Sequence, residues 1–450
     1  MWNRPREKPP RLTGLQFAGE FDAMISVRYL AFVSISGVIL SAGELRSEDW
    51  AQWRGPDRTG HVPQGAPVPA KLPAEPKAVW RIKTGESFAS PVVAAGKVFY
   101  SDSAGGKETL HAVAAATAKE LWSAEIDDLH KDTQGPPAPR CTPLVDGDRV
   151  YAQSCKGELK CLNVSDGKLV WRVNYSNDLS AVFIGEKGNA PGAARHGNDA
   201  SPVIDGDHLI ACAGGTNGAS VVCFDKRTGK VIWKSQNDQA GYAAPMVATI
   251  LGIKQVICFT VEGVLSVAAD DGRFLWRIPV KTAYARHVTT PVIYGDMVVV
   301  ASHQVGLLGI KVSRNGVGLS AEQVWVNKEA AMNFSSPVAV GKYLYGLGPT
   351  KNIVCVEIPT GKVEWSKEGY INTSADKAHA AFLVLGKNIL LSTDSGELVL
   401  FAADPKECRE ISRAQVCSLN WCNPAYAEGK LYLGDGVKTA GELLCLDLLK

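Results

Sequence analysis

From Ser336 to Trp365 the chain reads SPVAVGKYLYGLGPTKNIVCVEIPTGKVEW. An apolar run at Pro337–Val340 meets a Gly341-Lys342 turn, and Tyr343–Leu347 is apolar again. After a Gly-Pro break, Ile353–Glu357 alternates apolar with polar, and Thr360-Gly361 turns the chain into Lys362–Trp365. Short Val-, Ile-, Tyr- and Trp-rich runs punctuated by Gly and Pro predict strands joined by tight turns. Four of them make one antiparallel sheet of about thirty residues.

The pattern recurs along the chain. Pro202-Val203-Ile204-Asp205-Gly206, then Val222-Cys223-Phe224-Asp225, then Thr228-Gly229-Lys230-Val231-Ile232-Trp233 repeats it feature by feature, as do Pro143–Gly147, Cys161–Asn163 and Asp166–Trp171. Weaker copies open at Pro91, Pro245 and Pro291 and close at Trp122, Trp276 and Trp325. Four strands repeating every 40–50 residues or so predict an all-β fold, a β-propeller of four-stranded antiparallel blades. The tryptophans, Trp80 and Trp365 included, mark the outer strand and are read as core aromatics packing on the next blade. Ala78–Ile82 resembles an outer strand lacking its first three. Ala425–Ala427, Lys430–Leu433 and Glu442–Asp447 resemble three strands lacking their fourth. Joining them closes the ring and removes its free edge. Counting first strands from Pro91, Pro143, Pro202, Pro245, Pro291, Pro337, Phe382 and Pro424 gives eight blades. The seventh, Ala381–Ser412, has Ile411 where the tryptophan is expected.

Ahead of this region, residues 1–23 are polar, Pro-rich and aperiodic, and are read as an upstream over-extension or a disordered segment. Residues 24–43 combine Arg28, an apolar Leu30–Leu40 stretch and small residues at Ser41-Ala42-Gly43, the pattern of a secretory signal peptide too short to span a membrane comfortably. No cysteine follows the apolar stretch to suggest a lipid anchor. Export to the periplasm or beyond is therefore expected. Residues 44–77 include WAQWRGPDRTG. Leaving Trp50 and Trp53 in water is unfavourable, so this extension is expected to lie along the outside of the ring formed by residues 78–450.

Residues 1–43 hold five basic and three acidic groups, which leaves 43 Lys+Arg against 43 Asp+Glu in the rest. That balance carries no electrostatic signature for nucleic acid or an anionic membrane, and a monomer is expected. Of the eleven cysteines, Cys161, Cys223, Cys355 and Cys445 share one repeat position that Ala112 fills in the first blade. A site alternating Cys with Ala is a tight core site. No Cys-x-x-Cys occurs, so no metal site is expected. Cys408, Cys417 and Cys422 cluster in sequence, and one disulfide among them is left open.

Loops from each outer strand to the next inner strand converge on the axis, where loops carry binding sites. They hold Arg140 in one insert and Arg195, His196, Asn198 and Asp199 in another. Tyr242, Arg286, His287, Asn333, His379 and Trp421 follow. Acids are few, Asp199 and Asp376 being nearly alone, so a mouth built from these residues favours an anionic or hydrogen-bonding ligand. The competing reading for each is that it satisfies a neighbouring loop carbonyl. No nucleophile elbow, His-Glu-x-x-His or phosphate-binding glycine loop occurs, and Gly214–Gly218 reads as a hairpin turn.

The units ending Asp166–Trp171, Asp225–Trp233, Asp271–Trp276 and Pro359–Trp365 resemble the repeat of the pyrroloquinoline-quinone (PQQ) propellers, over about residues 78–450. WAQWRGPDRTG is similar to the leader of many exported members. That superfamily holds both quinoprotein alcohol dehydrogenases and the propeller of the bacterial outer-membrane assembly machine, so the fold alone does not choose a function. Departures from the dehydrogenase pattern are specific: no two cysteines are adjacent, the insertions of those enzymes are lacking, and the mouth is cationic where Ca²⁺ needs six to eight oxygens. The resemblance implies a non-catalytic binding or assembly scaffold with no cofactor. Its partner would be an envelope protein or a small anionic or polar ligand. The alternative is a PQQ- and calcium-dependent dehydrogenase of alcohols or sugars using the same funnel, with Asp199 as base.

Overall fold

A computed structural model describes residues 49–131, 135–183, 192, 195–374, 377–435 and 441–450. The leader assignments for residues 1–43, and Asp376, lie outside these residues. Among those described, the strands form eight four-stranded antiparallel sheets. In blade 3 the strands run Val203–Asp205, His208–Cys212, Val221–Asp225 and Val231–Ser235. The eighth sheet takes Ala425–Ala427, Lys430–Asp435 and Gly441–Asp447 from the C-terminal end and Lys77–Thr84 as its outer strand. Trp80 pairs there with Cys445, so the two fragments do complete one blade. No helix among the described residues is long and apolar enough to cross a membrane.

The repeat is explained by what each tryptophan must fit. Six indoles donate across to a carbonyl of the following blade: Trp80 to Ala115, Trp122 to Val164, Trp171 to Lys226, Trp233 to Ala269, Trp325 to Ile358 and Trp365 to Asp404, at 2.8–3.3 Å. The ring lies over the turn before that blade's outer strand. A Cβ on Gly167, Gly229, Gly272 or Gly361 would come within 2.5–2.7 Å of the preceding blade's indole. These glycines also hold positive φ, so the Gly-Lys/Arg-x-x-Trp pattern is one joint between neighbours. Blade 5 lacks that turn, and Trp276 donates within its own blade to Gln255 Oε1 at 2.8 Å.

Opposite each tryptophan on the third strand sits a small residue: Ala112, Cys161, Cys223, Ser266, Gly309, Cys355 or Cys445. The shared cysteine position is thus the floor beneath an indole, which leaves no room for a larger side chain. All eleven cysteines are free thiols. Cys408 meets the Tyr370 hydroxyl, Cys417 the Gly396 carbonyl and Cys422 the Ser87 carbonyl, so the open disulfide does not form.

Blade 7 corrects the alignment by one residue. Every outer strand carries a β-bulge just before its tryptophan, which turns the edge away from further pairing. In blade 7 the bulged residue is Ile411, and Ser412 occupies the tryptophan register opposite Leu400. Large and small are exchanged across the pair. Leu72, only 2% exposed, belongs to the same core cluster as Leu400, and its N–H donates to Ser412 Oγ at 2.8 Å, a position from which it can fill the volume left by the missing indole.

The N-terminal extension does not run along the outside of the ring. Outer strands alternate exposed and buried, whereas first strands are largely buried and line the axis. The WAQWRGPDRTG segment bonds those first strands. Trp50 pairs with Val93 of blade 1, and the Ala51 carbonyl accepts from Val145 of blade 2. Arg58 reaches Ser201 and Pro202 of blade 3, Trp53 Thr290 of blade 5, Arg54 Pro337 of blade 6, and Gly60 and Val62 Val384 of blade 7. A dozen residues can touch six blades only from the centre, so the segment plugs the channel. Trp50 finds its burial there, 2% exposed, while Trp53 is half-buried.

Candidate functional site at the loop face

In every blade but the seventh, the innermost strand opens on a residue followed by proline, which keeps that residue extended. Its N–H donates to the equivalent hydroxyl of the next blade: Asn423 to Ser90, Ser90 to Thr142, Thr142 to Ser201 and Thr290 to Ser336, at 2.9–3.2 Å. This collar sets the spacing of the loops above it. The plug is the floor, since Trp53, Arg54 and Arg58 bond the collar residues Thr290, Pro337 and Ser201/Pro202.

Above the collar, side chains from seven loops form one connected chain. Arg140 lies 4.5 Å over the Phe88 ring, and Phe88 meets Trp421 edge-on at 6.1 Å. Trp421 also contacts Phe334 at 5.5 Å and stacks on His379 at 5.8 Å. Arg286 lies between Phe334 and Tyr284, and Arg195 covers Tyr284 from a loop two blades away. Guanidinium–ring contacts hold a charge in place without neutralising it. Arg195 is 3% exposed and its Nε has no hydrogen-bond partner. Asn333 Oδ1, His303 Nδ1 and His379 Nδ1 are likewise buried and unpartnered. Buried polar atoms without partners are few in folded proteins, and several of them gather at this mouth.

Burial alone holds His379 as a neutral imidazole, its pKa lowered to about 4. His287 is lowered equally, by burial opposed by its bond to the Thr260 carbonyl at 2.5 Å. His303 is lowered by burial and then by the Arg286 charge. The cations of the mouth are therefore its arginines. On the blade 1–2 wall, Glu108 accepts from Cys155 N–H at 3.1 Å, and burial raises its carboxyl to about 7.

The structure brings Arg140, Arg195, Arg286, His379 and Trp421 into this chain, with Asn333 beside Phe334. The others lie behind it. His287 is fully buried and stacked on Phe259 at 4.2 Å. The Tyr242 hydroxyl donates to the Gly192 carbonyl, and its ring backs His196 at 5.5 Å. Asn198 is buried, its carbonyl accepting from Gln153. Asp199 is half-buried next to it. Phe88 and Tyr284 are the rings that sequence reasoning did not select. Tyr284 stands two residues from Arg286, and Phe88 occupies the loop entering blade 1. Loop position was the available signal.

Fold and mouth together define a repeat propeller with a cationic, aromatic funnel over a plugged axis. The family model described as outer membrane protein assembly factor BamB matches residues 72–216 and 156–412, and the chain belongs to that family of PQQ-like repeat propellers. BamB from Moraxella catarrhalis superposes with a TM-score of 0.55 at 16% identity, over 82% of this chain and 97% of that one. The quinohemoprotein alcohol dehydrogenase ADHIIG from Pseudomonas putida HK5 superposes with a TM-score of 0.56 at 11% identity, over 89% and 80%. At such identities these likenesses show the fold. A tetrathionate hydrolase from Acidithiobacillus ferrooxidans is 23% identical over 285 residues, 60% of this chain. The chain spans about half the length of that relative, 51%.

Proposed function

We propose that this protein is an exported, non-catalytic scaffold that docks an acidic segment of an envelope protein in the funnel mouth. The observation that carries the proposal is Arg195: buried, with an unpartnered Nε, and joined through Tyr284 to Arg286. A carboxylate entering between these guanidiniums would gain charge-assisted bonds in a site already desolvated. The aromatic run Phe88–Trp421–Phe334 offers the apolar wall on which a peptide side chain can lie. Membership of a family described by an outer-membrane assembly factor supports a protein partner.

The alternative, a PQQ-dependent dehydrogenase, would place the quinone's carboxylates on the same arginines and its plane near Trp421. What weighs against it is that no three His, Cys, Asp or Glu side chains converge among the described residues, where calcium favours several charged oxygens.

The test is fluorescence anisotropy with a labelled Glu-rich peptide carrying one tryptophan. Arg195→Ala with Arg286→Ala should weaken binding at least tenfold while circular dichroism and melting stay native, since each charged hydrogen bond contributes about 1.5–3 kcal/mol. Unchanged affinity in the folded double variant removes the assignment. Binding of free glutamate as tight as that of the peptide would turn it toward a small anionic ligand.

A further inference from the structure

A second site is formed by the plug itself. Among the described residues, blades 4 and 8 receive none of the hydrogen bonds by which residues 50–62 hold the other six blades, which leaves a gap beside blade 4. A cavity of about 310 Å³ occupies that gap, walled by Gln52, Asp57 and Arg58 of the plug and by Ile204, Met246 and Thr249 of blades 3 and 4. We propose that it binds a small monocarboxylate whose head sits on Arg58 and whose short apolar body lies against Ile204 and Met246.

Two observations point there independently. The first is charge. Arg54 and Arg58 are 5% and 3% exposed, and the bonds of their guanidiniums go to neutral oxygens: Thr59 and Pro337 carbonyls for Arg54, and Gln52 Oε1 with the Ser201 and Pro202 carbonyls for Arg58. Burial, with mutual repulsion acting on Arg54, lowers them to about 9 and 10, which leaves both charged at neutral pH. Two buried cations whose hydrogen bonds all go to neutral oxygens are an unfavourable arrangement that a bound anion relieves. The second is geometry. Arg58 lines the cavity, and its buried Nε has no partner although both terminal nitrogens do.

The other charges around the cavity narrow the ligand. Lys254 is committed to Asp205, at 2.8 and 3.1 Å. Asp57 is exposed at the rim and repels a second negative group, which favours one carboxylate over a polyanion. At ~30 Å³ per water the cavity displaces roughly ten waters, ample for a six-carbon chain.

The experiment titrates the full chain with sodium hexanoate against sodium chloride at equal ionic strength, following melting temperature and saturation-transfer NMR. A saturable rise with hexanoate, absent with chloride, is expected. Thr249→Trp, which fills the cavity from an exposed strand position, should abolish it. Arg58→Lys, keeping charge but losing the Nε donor, should weaken it at least tenfold. The Arg195→Ala, Arg286→Ala double variant of the mouth should bind hexanoate as the parent does. No saturable hexanoate effect, or one that survives Thr249→Trp, overturns the proposal. An effect lost only in the mouth variant overturns it too, and assigns the carboxylate to the funnel.

Discussion

Acidification of the parent and of His379→Phe tests whether the mouth's imidazoles are held neutral. His379 is 4% exposed, stacked on Trp421, and its pKa is lowered by burial from 6.5 to about 4. Because the folded value is depressed, its contribution is fully present above pH 6.5 and is lost as pH falls through that window toward 4. At pH 4.5 the unfolded chain gains about 2.7 kcal/mol from protonating this group and the folded chain about 0.2, a net loss of about 2.5 kcal/mol. Phenylalanine keeps a ring beside Trp421 and removes the titration. Urea unfolding at pH 7.5 and 4.5, analysed with a common slope, should show the variant gaining about 2–3 kcal/mol on the parent between the two. Groups common to both proteins cancel in the difference. Glu108 is one of them, with the opposite sign: its raised pKa gives stability that is full below pH 4.5 and lost as pH rises through about 7. Parallel pH profiles for parent and variant would mean that His379 titrates near its ordinary value, and would refute its placement in a dry wall.

The inter-blade joint and the blade 7 exchange make two further predictions. Gly229→Ala adds a Cβ 2.7 Å from the Trp171 indole at φ +70°, and should cost about 2–4 kcal/mol in urea unfolding. Gly206→Ala, in a turn with nothing within 4 Å, should cost only the backbone strain, about 1–2 kcal/mol, so equal losses at the two sites would contradict the joint. Leu72→Ala should cost about 2–5 kcal/mol, as for a buried core leucine, although Leu72 lies outside every blade. A loss below about 0.5 kcal/mol would show that it does not fill the space of the missing tryptophan.

Much of this architecture was legible because it repeats. Each blade solves the same packing problem, so a tryptophan, a turn glycine and a small residue on the third strand recur at constant spacing. Blade 7 was displaced by one residue because a bulge adds a residue without changing the hydrophobic pattern, so Ile411 looked like the tryptophan position that Ser412 fills. The plug was misplaced for a different reason. Its partners lie tens to hundreds of residues away, and Trp50 and Trp53 show only that they need burial, not where. At the mouth, Arg140, Arg195 and Arg286 were visible as unusual charge in loops of known position. His287 and Tyr242 share those loops but point into the wall, and the sequence carries no sign of which way a loop side chain turns.

Whether the mouth is a docking site or a cofactor pocket is tested most directly by titrating the full chain with PQQ, with and without Ca²⁺, reading melting temperature and quinone absorbance together. A ligand that binds only the folded state adds about 2.7 kcal/mol at a hundredfold excess over Kd. The arginines can hold the quinone's carboxylates as they would any anion, so the calcium dependence decides. The docking account predicts no calcium-dependent rise and no shift of the quinone band; a rise that requires Ca²⁺, with a shifted band, would contradict it and make the funnel a quinoprotein active site.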